Sequence, residues 1–237
     1  FKKSFRIYIL TEVLKLLFNL IGAIMKISLI YFDFPFWRAE IARLSLYIGN
    51  IEFEDLRITS DEFQRVKSNG HLDNGIKIPF HQLPCLVVDN ISIAQTGGIG
   101  RFCGKLANLY PQNNNIEAAL IDQYIDIATD ITEMVSKTNT EDRNNIFIES
   151  LKRKLSILNN SIDSKNNYLV NAKISIADIA IWRMVGWLIS GNLDGIQSDI
   201  LKSYKNISKI CLSTESHPKV NEWINKTYPK TYVKGNF

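Results

Sequence analysis

The stretch "HQLPCLVVDNISIAQTGGIGRFCG" (residues 81–104) carries the signals that decide the fold. It contains two short apolar runs, 85–89 and 91–94, whose length and β-branched content are typical of strands. Asp89, which ends the first run, and Asn90, which follows it, are typical of a tight hairpin turn. The stretch is therefore interpreted as a β-hairpin followed directly by a helix.

The same stretch predicts a ligand site beside the hairpin. Pro84 has no N–H to donate, so it suits only the first residue of its strand. If the Leu83–Pro84 peptide bond is cis, the backbone N–H and C=O of Leu83 stay free for a ligand. Thr96 is expected to cap the following helix, whose first N–H groups favour an anion, and Gly97 and Gly98 let that anion approach closely. We therefore expect an extended, peptide-like ligand with a carboxylate at one end.

Outward from this stretch, the chain divides into an α/β part and a helical part. Period-two and period-3.6 patterns before residue 109 predict the order β-α-β-α-β-β-α, and strand patterns are missing after it. The remaining predicted elements are a strand at 26–32, a helix at 39–49, a strand at 51–58, a helix at 59–69, a loop at 70–81, and helices at 96–107, 116–137, 142–160, 175–190, 197–212 and 217–227.

Composition excludes several classes of protein. The chain has 237 residues, 46% of them hydrophobic and 22% charged, as in an ordinary globular protein. Its net charge is +4 and its basic residues are spread out, which argues against a nucleic-acid partner. Three cysteines are too few for a disulfide framework and favour a reducing, cytoplasmic compartment. The three histidines lack the spacing of metal ligands, so no metal is expected.

The first 24 residues form a separate segment. Residues 1–24 begin with basic residues and turn apolar, but Glu12 and Lys15 interrupt every run that could span a membrane. Met25 directly precedes the first strand pattern. We therefore expect the fold to begin at Met25, residues 1–24 to be dispensable, and no membrane partner.

Three motifs, taken in order, resemble the cytosolic glutathione transferases. They are "YFDFPFWRAE" (31–40), "QLPCLVVDNISIAQTGGIGRF" (82–102) and "SIADIAIWRMVGWL" (175–188). The likeness is greatest to the tyrosine-type, sigma-like classes. It implies a thioredoxin-like domain at 25–108, a linker at 109–115 and an all-α domain at 116–230. In the third motif Ser175 and Asp178 match a capping box at a helix start.

The resemblance implies a set of glutathione-binding positions. The pair that binds the γ-glutamyl group corresponds to Gln95 and Thr96, with threonine replacing the usual serine. The residue whose backbone pairs with the cysteinyl unit corresponds to Leu83. The remaining positions, which reach the glycyl carboxylate or shape the strand entry, correspond to Gln82, Lys67 and Pro84.

The catalytic positions implied by the resemblance are Tyr31 and Arg38. The first strand places Tyr31 in the slot of the catalytic tyrosine, but Glu40 follows it by nine positions, one more than is usual in the family. A gapless alignment would instead put Phe32 in that slot. Trp37 also replaces the glycine that usually precedes Arg-Ala-Glu.

The implied function is conjugation of glutathione, as co-substrate, to a mostly apolar electrophile. The electrophile pocket is expected between loop 34–37 and helix 116–137, in a homodimer. A glutathione-dependent isomerase and a non-catalytic binding module remain alternatives. A thiol–disulfide or dehydroascorbate reductase would need a cysteine where Tyr31 stands. Cys85 is expected to pack in the core.

Overall fold

The computed structural model describes residues 25–237, and the N-terminal segment 1–24 lies outside the described residues. A four-stranded sheet has the order β2-β1-β3-β4. Strand β1 is parallel to β2 and antiparallel to β3, and β3 is antiparallel to β4. The strands are β1 (Ile27–Phe32), β2 (Glu54–Ile58), β3 (Cys85–Val88) and β4 (Ile91–Ala94).

Helices cover both faces of this sheet. Side chains alternate along β1, so that Leu29 and Tyr31 pack towards the first and third helices and Ile30 packs towards the second. The predicted β-α-β-α-β-β-α order is confirmed. These helices are α1 (Trp37–Ile48), α2 (Ser60–Asn69) and α3 (Thr96–Leu106).

The second half of the chain is helical. Its central helix is Ile176–Leu188, in which every residue except Trp187 is buried. This burial accounts for the apolar residues on every side of the helix. The predicted capping box is confirmed, because Asp178 accepts from the backbone N–H of Ser175 at 2.8 Å and from its hydroxyl at 2.7 Å. Burial raises the pKa of Asp178 to about 6. The helices are α4 (Asn115–Lys137), α5 (Asn145–Ser161), α6 (Ile176–Leu188), α7 (Lys205–Glu215) and α8 (Pro218–Thr227).

Two glycines of α3 let this helix pack closely against one helix of each half. A Cβ on Gly100 would lie 2.7 Å from Cδ1 of Ile41 in α1, and one on Gly104 would lie 2.7 Å from Cγ2 of Ile176 in α6. Helix α3 therefore needs these glycines to lie against both neighbouring helices.

The helix predicted at 197–212 is wrong at its start. Residues 197–204 form consecutive turns, and α7 begins only at Lys205. The reason is a cap from another helix: Asn159 Oδ1 accepts from the backbone N–H of Asn206 at 2.9 Å. The strand predicted at 51–58 is also shorter than expected, since β2 begins at Glu54.

Candidate functional site

A cavity of about 550 Å³ lies between the start of α3 and helix α4. Its walls combine residues before β3, the first turn of α3, one residue each from α1 and α2, and a stripe of α4. The lining residues are Arg38, Phe63, Gln82, Leu83, Gln95, Thr96, Gly97, Gly98, Arg101, Ile125, Asp126, Thr129, Glu133, Ser136 and Lys137.

The segment before β3 forms one edge of this cavity. The Leu83–Pro84 peptide bond is cis. Gln82 and Leu83 line the cavity, whereas Pro84 is buried behind them. Gln95 Nε2 donates a hydrogen bond to Gln82 Oε1 at 3.2 Å. The structure thus brings together two predicted site residues that are 13 positions apart.

The start of α3 forms the end wall of the cavity, and its cap differs from the expectation. Gln95, with φ of 70°, is the N-cap residue, and Thr96 is the first residue of the helix. The prediction that Thr96 caps α3 is therefore wrong. Its hydroxyl is buried and has no hydrogen-bond partner among residues 25–237. A Cβ on Gly98 would meet no atom within 4 Å, so the side of the first turn of α3 is open at Gly98.

Tyr31 lies near the end of β1 and is not among the lining residues of the cavity. Its side chain is buried, with 4% of the residue exposed. Burial raises the pKa of Tyr31, and the positive charges of Arg38 and Arg43 offset only part of that rise. Because its pKa is raised, the phenol stays protonated near neutral pH and remains a hydrogen-bond donor. The ring of Phe32 packs edge-on against Phe63, at 5.1 Å between centroids.

Arg38 lines the cavity, but its neighbour Trp37 does not. The Arg38 guanidinium lies 5.2 Å from the centroid of the Trp37 ring. Trp37 is fully buried, and its Nε1 donates to Thr132 Oγ1 on α4 at 2.8 Å. Trp37 therefore fills the core between α1 and α4 and does not line this cavity, whereas Phe34 of the same loop is exposed, so a pocket beside loop 34–37 stays a prediction.

Lys67 lies at the margin of the cavity and is not among its lining residues. It is exposed at the end of α2, with its ammonium 5.0 Å from the ring centroid of Phe63. The Lys67 carbonyl oxygen lies 2.9 Å from Nδ1 of His81. Phe63, which sequence reasoning missed, occupies the wall on that side.

Sequence reasoning also missed the stripe of α4 that faces the cavity. Asp126, Thr129, Glu133 and Lys137 recur at helical spacing on one face. The ammonium of Lys137 lies 2.6 Å from Glu133 and lowers the pKa of that carboxyl. The stripe was visible in the sequence, but a polar stripe on an amphipathic helix normally faces solvent.

Other potential sites have little support in the described part of the chain. Cys85 is fully buried, and burial raises the pKa of its thiol to about 11, so it is neutral and packs in the core as expected. Within residues 25–237 no cluster of His, Cys, Asp or Glu could hold a metal ion. Over the same range, every helix is too short or too polar to cross a membrane.

Family models identify both halves of the chain. The model for the glutathione S-transferase N-terminal domain matches residues 27–103, and the model for the C-terminal domain matches residues 125–227. The chain belongs to the glutathione S-transferase family. This transferase takes glutathione as its thiol substrate, and the cavity lies within the matched regions.

The matches between the transferase and individual relatives cover nearly the whole length of each relative. Glutathione S-transferase 2 of Caenorhabditis elegans is 27% identical, covering 79% of this chain and 92% of that protein. Hematopoietic prostaglandin D synthase of Gallus gallus is 26% identical, covering 83% and 94%. Among solved structures, monomeric Na-GST-3 of Necator americanus has a TM-score of 0.71 at 25% identity, covering 87% and 98%. Prostaglandin synthase D of Nilaparvata lugens has a TM-score of 0.70 at 28% identity, covering 86% and 98%.

Proposed function

We propose that the cavity holds glutathione with its γ-glutamyl carboxylate at the start of α3. The observation that carries this proposal is that Thr96, whose buried hydroxyl has no partner among residues 25–237, lines the same cavity as Gln95. Buried polar groups rarely lack a partner, and a carboxylate in front of α3 would supply one. Leu83 would pair with the cysteinyl unit through its backbone, and Gln82 would contact the glycyl end. Lys67 would join them at the margin.

Tyr31 and Arg38 are proposed to act on the sulfur. A free thiol has a pKa of about 8.5, so little thiolate forms at neutral pH. A protonated Tyr31 hydroxyl would donate to the sulfur, and the Arg38 charge would favour the anion. With an aryl halide, the thiolate forms a carbon–sulfur bond, the carbon–halogen bond breaks, halide leaves and the thiol proton passes to water. The polar stripe on α4 indicates that the electrophile also meets hydrogen-bonding groups.

Tyr31→Phe tests this assignment in a conjugation assay with a generic aryl halide. We expect turnover near neutral pH to fall about 10–100-fold, because the pKa of the bound thiol rises towards its solution value. Raising the pH should restore part of the rate. Retention on immobilised glutathione should be unchanged, since binding depends on the Gln95 end. Unchanged turnover would refute the role of Tyr31.

Phe32→Tyr is the companion variant, because it tests the alternative alignment. If Phe32 occupied the catalytic slot, Phe32→Tyr would gain activity and Tyr31→Phe would be harmless.

Retention of the wild-type protein on glutathione with no turnover would favour a non-catalytic binding module.

A glutathione-dependent isomerase is the second candidate. It is favoured by the similarity to the prostaglandin D synthase of Gallus gallus, at 26% identity. An isomerase returns glutathione unchanged, whereas a conjugating enzyme consumes it. Mass spectrometry of the products, together with the total free glutathione, separates the two reactions.

We also propose a homodimer in which the α/β half of one chain faces the helical half of the other. The support is a pair of exposed apolar side chains on the α/β half, Phe80 at 70% and Ile91 at 69% exposure. One structural neighbour is described as monomeric, so the point needs a direct measurement. Light scattering at micromolar concentration is expected to give twice the chain mass, and a single-chain mass would contradict the proposal.

A cytoplasmic location is proposed on the basis of the cysteines. All three, Cys85, Cys103 and Cys211, are free and buried. Free thiols of this kind are typical of a reducing compartment.

A further inference from the structure

The loop that joins Tyr31 to Arg38 is held by its backbone carbonyl groups. Arg43, with 1% of the residue exposed, donates from Nη2 to the Phe32 carbonyl at 3.2 Å and from Nη1 to the Phe34 carbonyl at 3.1 Å. Its Nε donates to Asp55 at 2.9 Å, which fixes the guanidinium in place. The first half of the loop is therefore tied to α1 and β2.

The second half of the loop is tied to the C-terminal segment. The Pro35 carbonyl accepts from the Tyr232 hydroxyl at 3.0 Å and from Arg183 Nε at 3.4 Å. Arg183 is fully buried in α6, and its Nη2 donates to the Tyr232 hydroxyl at 2.6 Å. One acceptor in the loop is thus shared by a helix residue and a residue 197 positions away.

The C-terminal segment lies directly on α6. A Cβ on Gly186 would come within 2.4 Å of the Lys234 carbonyl oxygen, so only glycine allows this approach. The same carbonyl accepts from Arg183 Nη1 at 2.9 Å, and the Lys234 ammonium pairs with Glu215. These contacts fix the position of Tyr232.

We propose that Tyr232 and Arg183 are positioning residues that set the placement of Tyr31 relative to Arg38. The inference rests on the proposed roles of those two residues at the sulfur. Tyr31 precedes the loop and Arg38 follows it, so a shift of the Pro35 carbonyl moves Tyr31 relative to Arg38. A displacement of about 1 Å in a catalytic group can cost up to about 100-fold in rate. The C-terminal segment thus acts on the reaction without entering the cavity.

Tyr232→Phe is the test, because it removes one hydroxyl and keeps the ring against Arg183. We expect kcat to fall about 3–10-fold while the KM for glutathione stays within about twofold, since the Thr96 end is untouched. The pKa of the bound thiol, followed by ultraviolet absorbance of the thiolate, should rise. The acid limb of the kcat profile should therefore move to higher pH.

Tyr204→Phe is the matched control. Its hydroxyl also donates to a backbone carbonyl, that of Lys152, at 3.0 Å, but neither residue lines the cavity. Tyr204→Phe should leave the thiol pKa and kcat unchanged. If Tyr232→Phe is indistinguishable from Tyr204→Phe in both measurements, the proposal is overturned.

Two further variants keep the outcome decisive. If Tyr232→Phe moves the thiol pKa but Tyr31→Phe does not, the role of Tyr31 fails and positioning of Arg38 by the loop stands. If neither variant moves the thiol pKa, the role of Tyr31 and the positioning role of Tyr232 are both refuted. Should Tyr232→Phe not fold, Lys234→Met loosens the same segment by removing the pair with Glu215. It should shift the thiol pKa upwards by a smaller amount, and no shift would overturn the proposal.

Discussion

The two ends of the proposed site are held in place in different ways. At the proposed glutathione end, the cis Leu83–Pro84 bond, Gln95 with its positive φ and the first turn of α3 all lie in one short stretch of the chain, residues 83–98. At the proposed catalytic end, the Pro35 carbonyl is held by side chains 148 and 197 positions away. The first arrangement is set by local backbone conformation and the second by long-range hydrogen bonds.

This difference predicts different consequences of mutation. On the proposed assignment, a side chain at the glutathione end would contact the ligand and contribute little to the fold, so its loss should weaken binding alone. A side chain that holds the loop between Tyr31 and Arg38 donates hydrogen bonds to backbone carbonyl groups of that loop. Its loss should therefore lower stability as well as turnover. Three substitutions test this contrast.

Arg183→Met should have the largest effect. Methionine keeps an apolar side chain of similar length but removes the charged donor from three acceptors, which are the Pro35 and Lys234 carbonyls and the Tyr232 hydroxyl. We expect the free energy of unfolding in urea to fall by about 3 kcal/mol. Arg153→Met, on the exposed face of α5, should change it by less than about 0.5 kcal/mol. Equal effects of the two variants would contradict long-range support of the loop.

Thr96→Ala should have an intermediate effect, confined to binding. Losing a hydrogen bond to a charged group costs about 1.5–3 kcal/mol, so glutathione affinity measured by calorimetry should fall about tenfold or more. The free energy of unfolding should change by less than about 0.5 kcal/mol, because the hydroxyl has no partner in the described protein. Thr96→Ser should bind almost normally. The same affinity in all three proteins would remove Thr96 from the site.

Thr132→Val should have the smallest effect. It leaves the Trp37 indole N–H without its acceptor at 2.8 Å, which should lower the free energy of unfolding by about 1 kcal/mol. Thr214→Val is the matched control, since among residues 25–237 the hydroxyl of that buried threonine donates to the carbonyl of Ile210 in its own helix and to no other side chain. A loss no larger than in the control would mean that the Trp37–Thr132 bond does not stabilise the loop's end.

Much of the glutathione end could be predicted from the sequence. Pro84 at a strand start and Gln95-Thr96 before glycines are local signals, and the structure brings Gln82, Leu83, Gln95 and Thr96 to one cavity. The N-cap was misassigned to Thr96 because Gln95 adopts a left-handed backbone that its residue type does not favour. The stripe on α4 was missed because polar residues on a helix look the same whether they face water or a cleft.

The sequence by itself determined the strands, most of the helices, the Ser175–Asp178 capping box and the family, because periodicity and turn chemistry act over a few residues. Tertiary structure decided what lies between the elements. It buried Arg183 and Trp37, started α7 with a cap from Asn159, and brought the Tyr232 hydroxyl to the Pro35 carbonyl. The physical reason is that a hydrogen bond between distant residues exists only once packing has brought them together, and no local pattern records that meeting.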